Sequence, residues 1–326
     1  MVKLIIIALL LPILELIYFK LANFFNIIDK PNKRSSHTNV TLRGGGIIFL
    51  FGVWLYGAFF GFQYPWFLFG LSMIALISFV DDVSSVPNSY RIVVHFLSMF
   101  LMFYQWGIFT ESQWWIGIIA LIVCTGIINA YNFMDGINGI TGGYSLAVLA
   151  PLAVINYQIH FIDMNLIWIG IISVLIFCFF NFRKKAKCFA GDVGAVGIAF
   201  LVLFILGDLI ITTGDLWYIL LLGVYGVDSV LTICHRLILH ENIFDAHRKH
   251  AYQLMANELM MPHVVVSGFY MILQLVISFG LMYVPINKWV YFIIVLVVLA
   301  LAYLLFKKKY YYLHEEYLKD FDTCIL

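Results

Sequence analysis

Long apolar runs follow one another along the chain, with polar stretches between them. A membrane-spanning helix needs about 20 consecutive, mostly apolar residues. The runs that meet or approach this length cover residues 4–25, 45–61, 65–80, 92–109, 114–131, 141–157, 164–181, 194–211, 216–234, 264–284 and 286–306. They predict an all-α integral membrane protein with about 10–11 transmembrane helices. The sequence shows no internal repeat, and we interpret residues 1–326 as a single polytopic domain.

The connections between the runs alternate in character. The odd-numbered connections are long, polar and carry most of the Lys and Arg, whereas the even-numbered ones are short and nearly uncharged. By the positive-inside rule, the odd-numbered connections and the C-terminus are predicted to be cytoplasmic and the N-terminus to be outside. Every polar motif lies on this predicted cytoplasmic face, whereas a transporter more often places ionisable residues at mid-membrane. The pattern favours an enzyme whose cleft is formed by these loops.

The composition agrees with a membrane protein and excludes some partners. The 326 residues are 63% hydrophobic and 11% charged, with a mean hydropathy of +0.98. No soluble domain of this size keeps so little polar surface. The net charge of +1 gives no attraction to nucleic acid. The five Cys form no C-x-x-C pair, so they predict neither a disulfide scaffold nor a zinc ribbon.

The strongest polar motif is Asn129 to Gly143, N-A-Y-N-F-M-D-G-I-N-G-I-T-G-G, which lies between two apolar runs. Asp135 is followed by glycines that permit a tight backbone around a bound group. Carboxylate and amide oxygens such as those of Asp135 and Asn132 are hard ligands that suit Mg²⁺. The alternative interpretation is a glycine-rich turn with capping Asn side chains.

Further acidic residues directly follow or precede apolar runs. Asp81 and Asp82 are adjacent at the end of the third run, where the helix dipole and mutual repulsion disfavour them unless a cation or base chemistry uses them. Asp192, in F-A-G-D-V-G, begins the eighth run, where it could cap the helix or hold a metal. Phe189 is a candidate for stacking on a base.

Basic motifs complete the predicted site. Arg43 is followed by three glycines, whose N–H groups could approach an anion, although a simple basic anchor on headgroups is the alternative. His247, Arg248 and His250 form a cluster suited to phosphate, with a solvated loop or a zinc site as alternatives. Asp228, within the ninth run, fits either a structural pairing or a substrate role.

Taken together, these motifs resemble one known family. D29-x-P-N-x-R-S-S-H, R43-G-G-G, D81-D82, N129-x-x-N-x-x-D-G-I-N-G, F189-x-G-D-x-G and H247-R-x-H-x-Y-Q occur in the order found in the polyprenyl-phosphate N-acetylhexosamine-1-phosphate transferases. This is the family of MraY and WecA, glycosyltransferase family 4. The resemblance covers about residues 29 to 253. The lack of three consecutive His makes the chain more similar to the WecA-like branch.

The resemblance implies transfer of an N-acetylhexosamine-1-phosphate from a UDP-sugar to undecaprenyl phosphate, with release of UMP. The expected cofactor is Mg²⁺, with Mn²⁺ as the alternative. The expected location is the bacterial inner membrane with the active site cytoplasmic, at the start of lipopolysaccharide, capsule, teichoic acid or related synthesis. A homodimer is among the expectations, and the sugar is open between GlcNAc, GalNAc and 6-deoxy-N-acetylhexosamines. The rival classes are a transporter or flippase of an anionic solute or lipid and an inactive scaffold.

The resemblance also implies roles for individual residues. The residues expected to be catalytic are Asp81, Asp82 and Asp135. The expected metal ligands are Asp192 and Asn132. The residues expected to bind substrate are Arg43, Asn132, Asn138, Phe189, His247, Arg248 and His250. The family often has Asp where this chain has Asn138, and Ser where it has Ala195, so the effect of both departures is open.

Overall fold

The chain forms a bundle of helices, and each predicted apolar run corresponds to one of them. The computed structural model describes residues 1–31, 36, 39–110, 114–242 and 247–323. The longer helices are α1 (Val2–Phe24), α2 (Ile48–Phe60), α3 (Pro65–Val83), α4 (Asn88–Gln105), α5 (Trp114–Met134), α6 (Ile140–Ile159), α7 (Met164–Asn181), α8 (Gly191–Thr213), α9 (Gly223–Ile238), α11 (His263–Tyr283) and α12 (Lys288–Thr323). Part of the predicted motif between Asp29 and His37 lies outside the described residues.

Short elements join the long helices. A two-residue antiparallel pair links β1 (Ile28–Asp29) with β2 (Thr41–Leu42). Single turns of 3₁₀-helix occur at Gly45–Ile47 and Ile108–Thr110, and a longer 3₁₀ segment, Leu216–Leu222, precedes α9. The three-residue α10 (Ala251–Gln253) continues into the π-helical turn Leu254–Glu258.

Among the described residues, nine helices are long and apolar enough to cross a membrane. Two of the predicted spans are weaker. The span at α2, including its leading 3₁₀ turn, covers only Gly45–Phe60. Helix α4 has the length, but Arg91 and His95 lie one turn apart on it and give it an amphipathic face. The prediction of an all-α membrane protein is confirmed, and helices occur at all eleven predicted runs.

Helices α6 and α8 form the centre of the bundle. Over the 18 residues of each helix that are apolar enough to cross a membrane, 78% are buried in α6 and in α8, against 6% in α12. Both central helices contain several Gly and Ala residues, which let neighbouring helices approach closely inside a membrane. The outer helices instead present large aliphatic side chains, such as Ile293 and Leu301 of α12, to the surroundings.

A buried glutamine, Gln274, supplies hydrogen-bond partners to the backbone where the 3₁₀ segment meets α9. Gln274 Oε1 accepts hydrogen bonds from the Tyr144 hydroxyl at 2.9 Å and the Val224 N–H at 3.0 Å. Its Nε2 donates to the Leu220 carbonyl at 3.1 Å. An unpaired backbone group in lipid costs roughly several kcal/mol. Because the Gln274 side chain supplies the missing partners, the irregular backbone before α9 avoids this cost. The hydrogen bonds of Gln274 thereby fix the position of the first residues of α9.

The C-terminal ends of α3, α5, α7 and α9 meet the N-terminal ends of α6, α8 and α11 on one side of the bundle. All of the predicted polar motifs that are described lie at these ends. The fold therefore brings the motifs to one surface, as the loop pattern predicted. Which side of the membrane this surface faces stays a prediction.

Candidate active site

A cleft of about 320 Å³ opens where these helix ends meet. Its wall comes from the first, third, fourth and fifth polar loops. The lining residues are Asp29, Ser36, Arg43, Asn132, Asp135, Gly136, Ile137, Asn138, Asn181, Phe189, Gly191, Asp192, Gln253 and His263. Of the predicted site residues, Arg43, Asn132, Asp135, Asn138, Phe189 and Asp192 are therefore brought together.

Three carboxylates and two guanidinium groups form a connected ion-pair cluster beside the cleft. Arg91 lies between Asp81 and Asp192, with N–O distances of 2.7 and 3.0 Å. Arg43 lies between Asp82, at 2.7 Å, and Asp192, at 3.6 Å. Three acids against two bases give the cluster a formal charge of one net negative. Asp192 is the member that both guanidinium groups share and that also lines the cleft.

The adjacent carboxylates Asp81 and Asp82 have different environments. Asp82 has a fully buried side chain and accepts the N–H groups of Asp192 at 2.9 Å and Val193 at 3.0 Å. It therefore caps α8 from outside that helix. Asp81 retains 12% of its side-chain exposure and accepts from Arg91 and from the Val86 N–H at 2.8 Å. Asp81 is the more accessible of the two.

Because Asp82 caps α8, the structure does not use Asp192 as the cap of this helix. Asp192 is in the first turn of α8, and no side chain of the residue before the helix caps it. Since Asp82 holds the backbone N–H groups of this turn, the Asp192 carboxylate is left to the arginines and the cleft. Gly191 has φ +70°, and a Cβ there would lie 2.5 Å from Asp82 Oδ2, which explains the glycine before Asp192.

The glycines after Arg43 have a different use from the one predicted. The N–H of Gly45 donates to the Phe189 carbonyl at 2.9 Å, and the N–H of Gly46 donates to the Ala190 carbonyl at 3.0 Å. These two groups dock the first loop onto the fourth and are not directed at an anion. A Cβ on Gly46 would lie 2.2 Å from the Gly194 Cα, so the close approach needs both glycines. The Arg43 side chain itself does reach the cleft.

Asp135 lies in the third loop, outside the membrane-spanning helices. Its Oδ1 accepts from the Thr141 hydroxyl at 2.6 Å, which orients the carboxylate. Burial raises the pKa of Asp135 to about 6, and the negative charge of Asp192 adds to this effect. A carboxyl group with such a pKa can hold or release a proton near neutral pH. Its catalytic role stays a prediction.

Asn138 connects two loops through its side-chain amide. Nδ2 donates to the Arg183 carbonyl at 3.0 Å and to the Lys184 carbonyl at 3.3 Å. Its own carbonyl accepts from the Ser267 hydroxyl at 2.8 Å. An aspartate could not donate these bonds, so the departure from the family pattern has a structural use here. Its predicted contact with a base is neither excluded nor required by this geometry.

Asp228, in α9, holds the histidine loop in place through hydrogen bonds. His250 Nδ1 lies 3.2 Å from Asp228 Oδ1, and the Ala251 N–H donates to the same oxygen at 3.1 Å. The Tyr270 hydroxyl donates to Asp228 Oδ2 at 2.7 Å. These contacts agree with the structural alternative for Asp228. They also occupy His250 Nδ1, which orients the loop, and the predicted contact of His250 with substrate stays a prediction.

Neither His247 nor Arg248 lines the cleft. Arg248 donates to Glu258 at 3.0 Å and stacks on Tyr317, with its guanidinium carbon 4.5 Å from the ring centre. Burial lowers the pKa of His247 to about 3, so its imidazole is neutral at neutral pH. The prediction that this cluster binds phosphate stays a prediction, and none of its three members is among the residues that line the cleft. Gln253 and His263 line the cleft in this region.

Two residues that organise the cleft were not predicted from the sequence. Arg91 is one basic residue of the second polar connection, and nothing in the sequence indicates its contacts with Asp81 and Asp192. Asn181, at the end of α7, accepts from the Gly139 N–H at 2.7 Å and donates to the Cys188 carbonyl at 2.8 Å, which joins the third and fourth loops. A polar residue ending an apolar run on the motif face was the available signal for Asn181.

The residues of the cleft fit a magnesium ion shared with a substrate. Among the described residues, no group of three or more His, Cys, Asp or Glu side chains could by itself hold a metal. Mg²⁺ usually takes one or two carboxylates and completes its shell with phosphate oxygens and water. Asp192 and Asp135 both line the cleft. Asp192 is paired with Arg91 at 3.0 Å through Oδ2, and its contact with Arg43 through Oδ1 is looser, at 3.6 Å.

The cleft and bundle define a helical membrane protein with a carboxylate-rich site at one surface. Residues 64–209 match the model of glycosyl transferase family 4. The chain is 25% identical over 286 residues to the undecaprenyl-phosphate α-N-acetylglucosaminyl 1-phosphate transferase of Thermotoga maritima, covering 84% of this chain and 86% of that protein. It is 27% identical over 206 residues to the protein of the same name from Yersinia pestis, covering 57% and 56%.

A related enzyme type also matches. The chain is 26% identical over 219 residues to the phospho-N-acetylmuramoyl-pentapeptide-transferase of Enterococcus hirae, covering 58% of this chain and 66% of that protein. These matches confirm the resemblance found in the motifs. Over residues 64–209 the chain is similar to glycosyl transferase family 4, in agreement with the names of these relatives.

Proposed function

We propose that this protein transfers a sugar-1-phosphate from a nucleoside diphosphate sugar to a polyprenyl phosphate in the membrane. The observation that carries the proposal is the position of Asp192, in a cleft at the ends of lipid-facing helices and shared by two arginines. The names of the relatives support undecaprenyl phosphate as the acceptor. UDP-N-acetylhexosamine as the donor follows from the motifs and the family.

In the proposed reaction, an oxygen of the polyprenyl phosphate attacks the β-phosphorus of the UDP-sugar. A new P–O bond forms, the bond from the β-phosphorus to the bridging oxygen breaks, and UMP leaves with that oxygen. Such transfer depends mainly on positioning and on neutralising charge. Bound Mg²⁺, held by Asp192 with Asp135 or Asn132, would supply the neutralising charge at the diphosphate.

The protein's own residues divide the remaining tasks. Arg43 lines the cleft and can pair with a phosphate oxygen. Asp81 is the accessible member of the acidic pair, so we assign to it the contact with the lipid phosphate or its proton. Asp82 holds the first turn of α8, and Asp192 with it, in place. Phe189 offers a ring at the cleft wall for a base to stack on.

The location proposed is a bacterial inner membrane, with the cleft facing the cytosol. The distribution of Lys and Arg in the connecting loops supports this orientation. A cytosolic cleft can take a soluble nucleotide sugar while the polyprenyl chain remains in lipid. The relatives that align over most of this chain are named for N-acetylglucosamine transfer, which supports the WecA-like branch.

The test uses the purified chain with undecaprenyl phosphate, Mg²⁺ and a panel of UDP-N-acetylhexosamines, and measures UMP release. We expect release with at least one sugar and its loss on chelation of the metal. Asp192→Asn should abolish turnover, while Asp215→Asn, the same change just beyond the other end of α8, should not. No UMP with any sugar would refute the proposed function. Full activity of Asp192→Asn would remove Asp192 as the metal ligand.

A further inference from the structure

The last helix is longer than a bilayer requires. Helix α12 has 36 residues. At a rise of about 1.5 Å per residue it is about 54 Å long, against a hydrocarbon core of about 30 Å. Its apolar part is followed by K-K-K-Y-Y-Y-L-H-E-E-Y, from Lys307 to Tyr317. We call this part the C-terminal extension, and it lies against the fifth polar loop.

The extension makes a first contact with that loop through Lys307. The Lys307 side chain is buried, and its ammonium donates to the carbonyl oxygen of Lys249. It also lies 4.7 Å from the ring centre of Tyr311, on the next turn of the same helix. Lys249 in turn pairs with Glu241. The backbone just before His250 is therefore fixed to α12.

A second contact lies two turns further along. Glu258 Oε1 accepts from Arg248 at 3.0 Å and lies 2.9 Å from His314 Nδ1. The side chains of Glu258 and His314 are only 3% and 4% exposed, and Arg248 stacks on Tyr317. Removing one partner from a buried charged cluster leaves the others unpaired, so such a cluster opens at a substantial cost. It fixes both ends of the segment from Arg248 to Glu258.

The segment between these contacts reaches the cleft. Gln253 lines the cleft and accepts from the His250 N–H at 3.2 Å. The Tyr252 hydroxyl donates to the Phe133 carbonyl at 2.8 Å, which ties the segment to the third loop. A Cβ on Gly136 would lie 2.2 Å from that hydroxyl, so the wall of the cleft is shaped around Tyr252. A continuous series of contacts thus connects α12 to the residues that line the cleft.

We propose that the C-terminal extension is a positioning element that holds the segment Arg248–Glu258 in the conformation that binds the nucleotide sugar. His314 is its central residue, since it gives Glu258 Oε1 a second partner that comes from outside the loop. The inference rests on the proposed function for the identity of the ligand. A segment released from the extension must be ordered when the ligand binds, which weakens binding without changing the reacting groups.

The test compares His314→Ala with two matched variants in the full purified chain. His314→Gln retains a side-chain donor toward Glu258 and should restore function. Glu316→Ala removes an exposed side chain of the same helix and serves as the control. We expect His314→Ala to raise the KM for the nucleotide sugar about tenfold, equivalent to about 1.4 kcal/mol. We expect kcat to stay within about threefold and the KM for the lipid to be unchanged.

A second readout does not need turnover. Binding of UDP to the purified chain, measured by calorimetry, should weaken by a similar factor in His314→Ala and recover in His314→Gln. An equal KM and equal UDP affinity in His314→Ala and in the unchanged chain would overturn the positioning role. So would a fall in kcat alone. If the unchanged chain binds UDP but releases no UMP, the proposed function fails while the binding comparison still decides this inference. Absence of both binding and turnover overturns both.

Discussion

Replacing Asp82 with Asn tests whether this carboxylate holds the site together or takes part in the reaction. The carboxylate is fully buried and accepts two N–H groups of the first turn of α8 as well as the guanidinium of Arg43. In Asp82→Asn, the amide oxygen can keep the position of Oδ1. The NH₂ group then faces the Val193 N–H, so one donor meets another. The helix end also loses its negative charge.

The magnitude follows from these losses. A buried hydrogen bond to a charged group contributes about 1.5–3 kcal/mol, and a charge at a helix end about 0.3–1 kcal/mol. The loss of the Arg43 pairing adds less, because a third of that side chain is exposed and water can replace the partner. We therefore expect Asp82→Asn to lower the free energy of unfolding by about 2–4 kcal/mol, mostly from the lost bond to the Val193 N–H.

The assay is denaturant unfolding of the purified protein in mixed micelles, run beside the UMP release assay. Asp192→Asn is the matched control, because it removes a neighbouring carboxylate while leaving the cap intact. We expect this control to lose activity with a change in unfolding free energy of about 1 kcal/mol or less. If Asp82→Asn instead unfolds like Asp192→Asn and is inactive, then Asp82 acts in the reaction and the capping argument is wrong.

Three further predictions concern the third loop. Burial raises the pKa of Asp135 to about 6, so its negative charge is lost as the pH falls through 6. We therefore expect log(kcat/KM) to fall with unit slope below pH 6, and a fall centred near pH 4 would contradict this. Asn138→Asp should lower the free energy of unfolding by about 1–3 kcal/mol, because the carbonyls it serves lose their donor; unchanged thermal unfolding would refute it. Gly136→Ala should reduce kcat/KM about tenfold or more by displacing Tyr252, and adding Tyr252→Phe should recover part of it; purely additive losses would argue against the contact.

The helices could be predicted from the sequence because hydropathy is a local property. Each apolar run is long enough to satisfy its own backbone hydrogen bonds in lipid, so its structure depends little on distant residues. The irregular segment before α9 could not be predicted in this way. It depends on Gln274, which lies about 50 positions away in the chain and supplies the missing partners, as the bonds to Val224 and Leu220 show.

The sequence could predict which residues lie at the cleft, but it could not predict the contacts and role of each one. Placing polar motifs on alternate loops was enough to bring Asp135, Phe189 and Asp192 to one surface. The division between Asp81 and Asp82 depends on which of them the first turn of α8 meets, and spacing along the chain contains no such information. The same limit applies to Arg248, whose nearest acid is Glu258 and whose stacking partner is on the last helix.

The charge balance of the cluster connects these assignments to the proposed chemistry. If the three carboxylates were fully matched by three cations, a divalent ion would have to displace one of them before binding. Two guanidinium groups instead leave one net negative charge, and they converge on Asp192, which is only partly paired with Arg43 at 3.6 Å. A cation bound at Asp192 would compete with both guanidinium groups for that carboxylate, while Arg91 stays paired with Asp81 and Arg43 with Asp82, each at 2.7 Å. Of the two arginines, Arg43 lines the cleft, so it is the one that we propose to pair with a phosphate oxygen of the substrate.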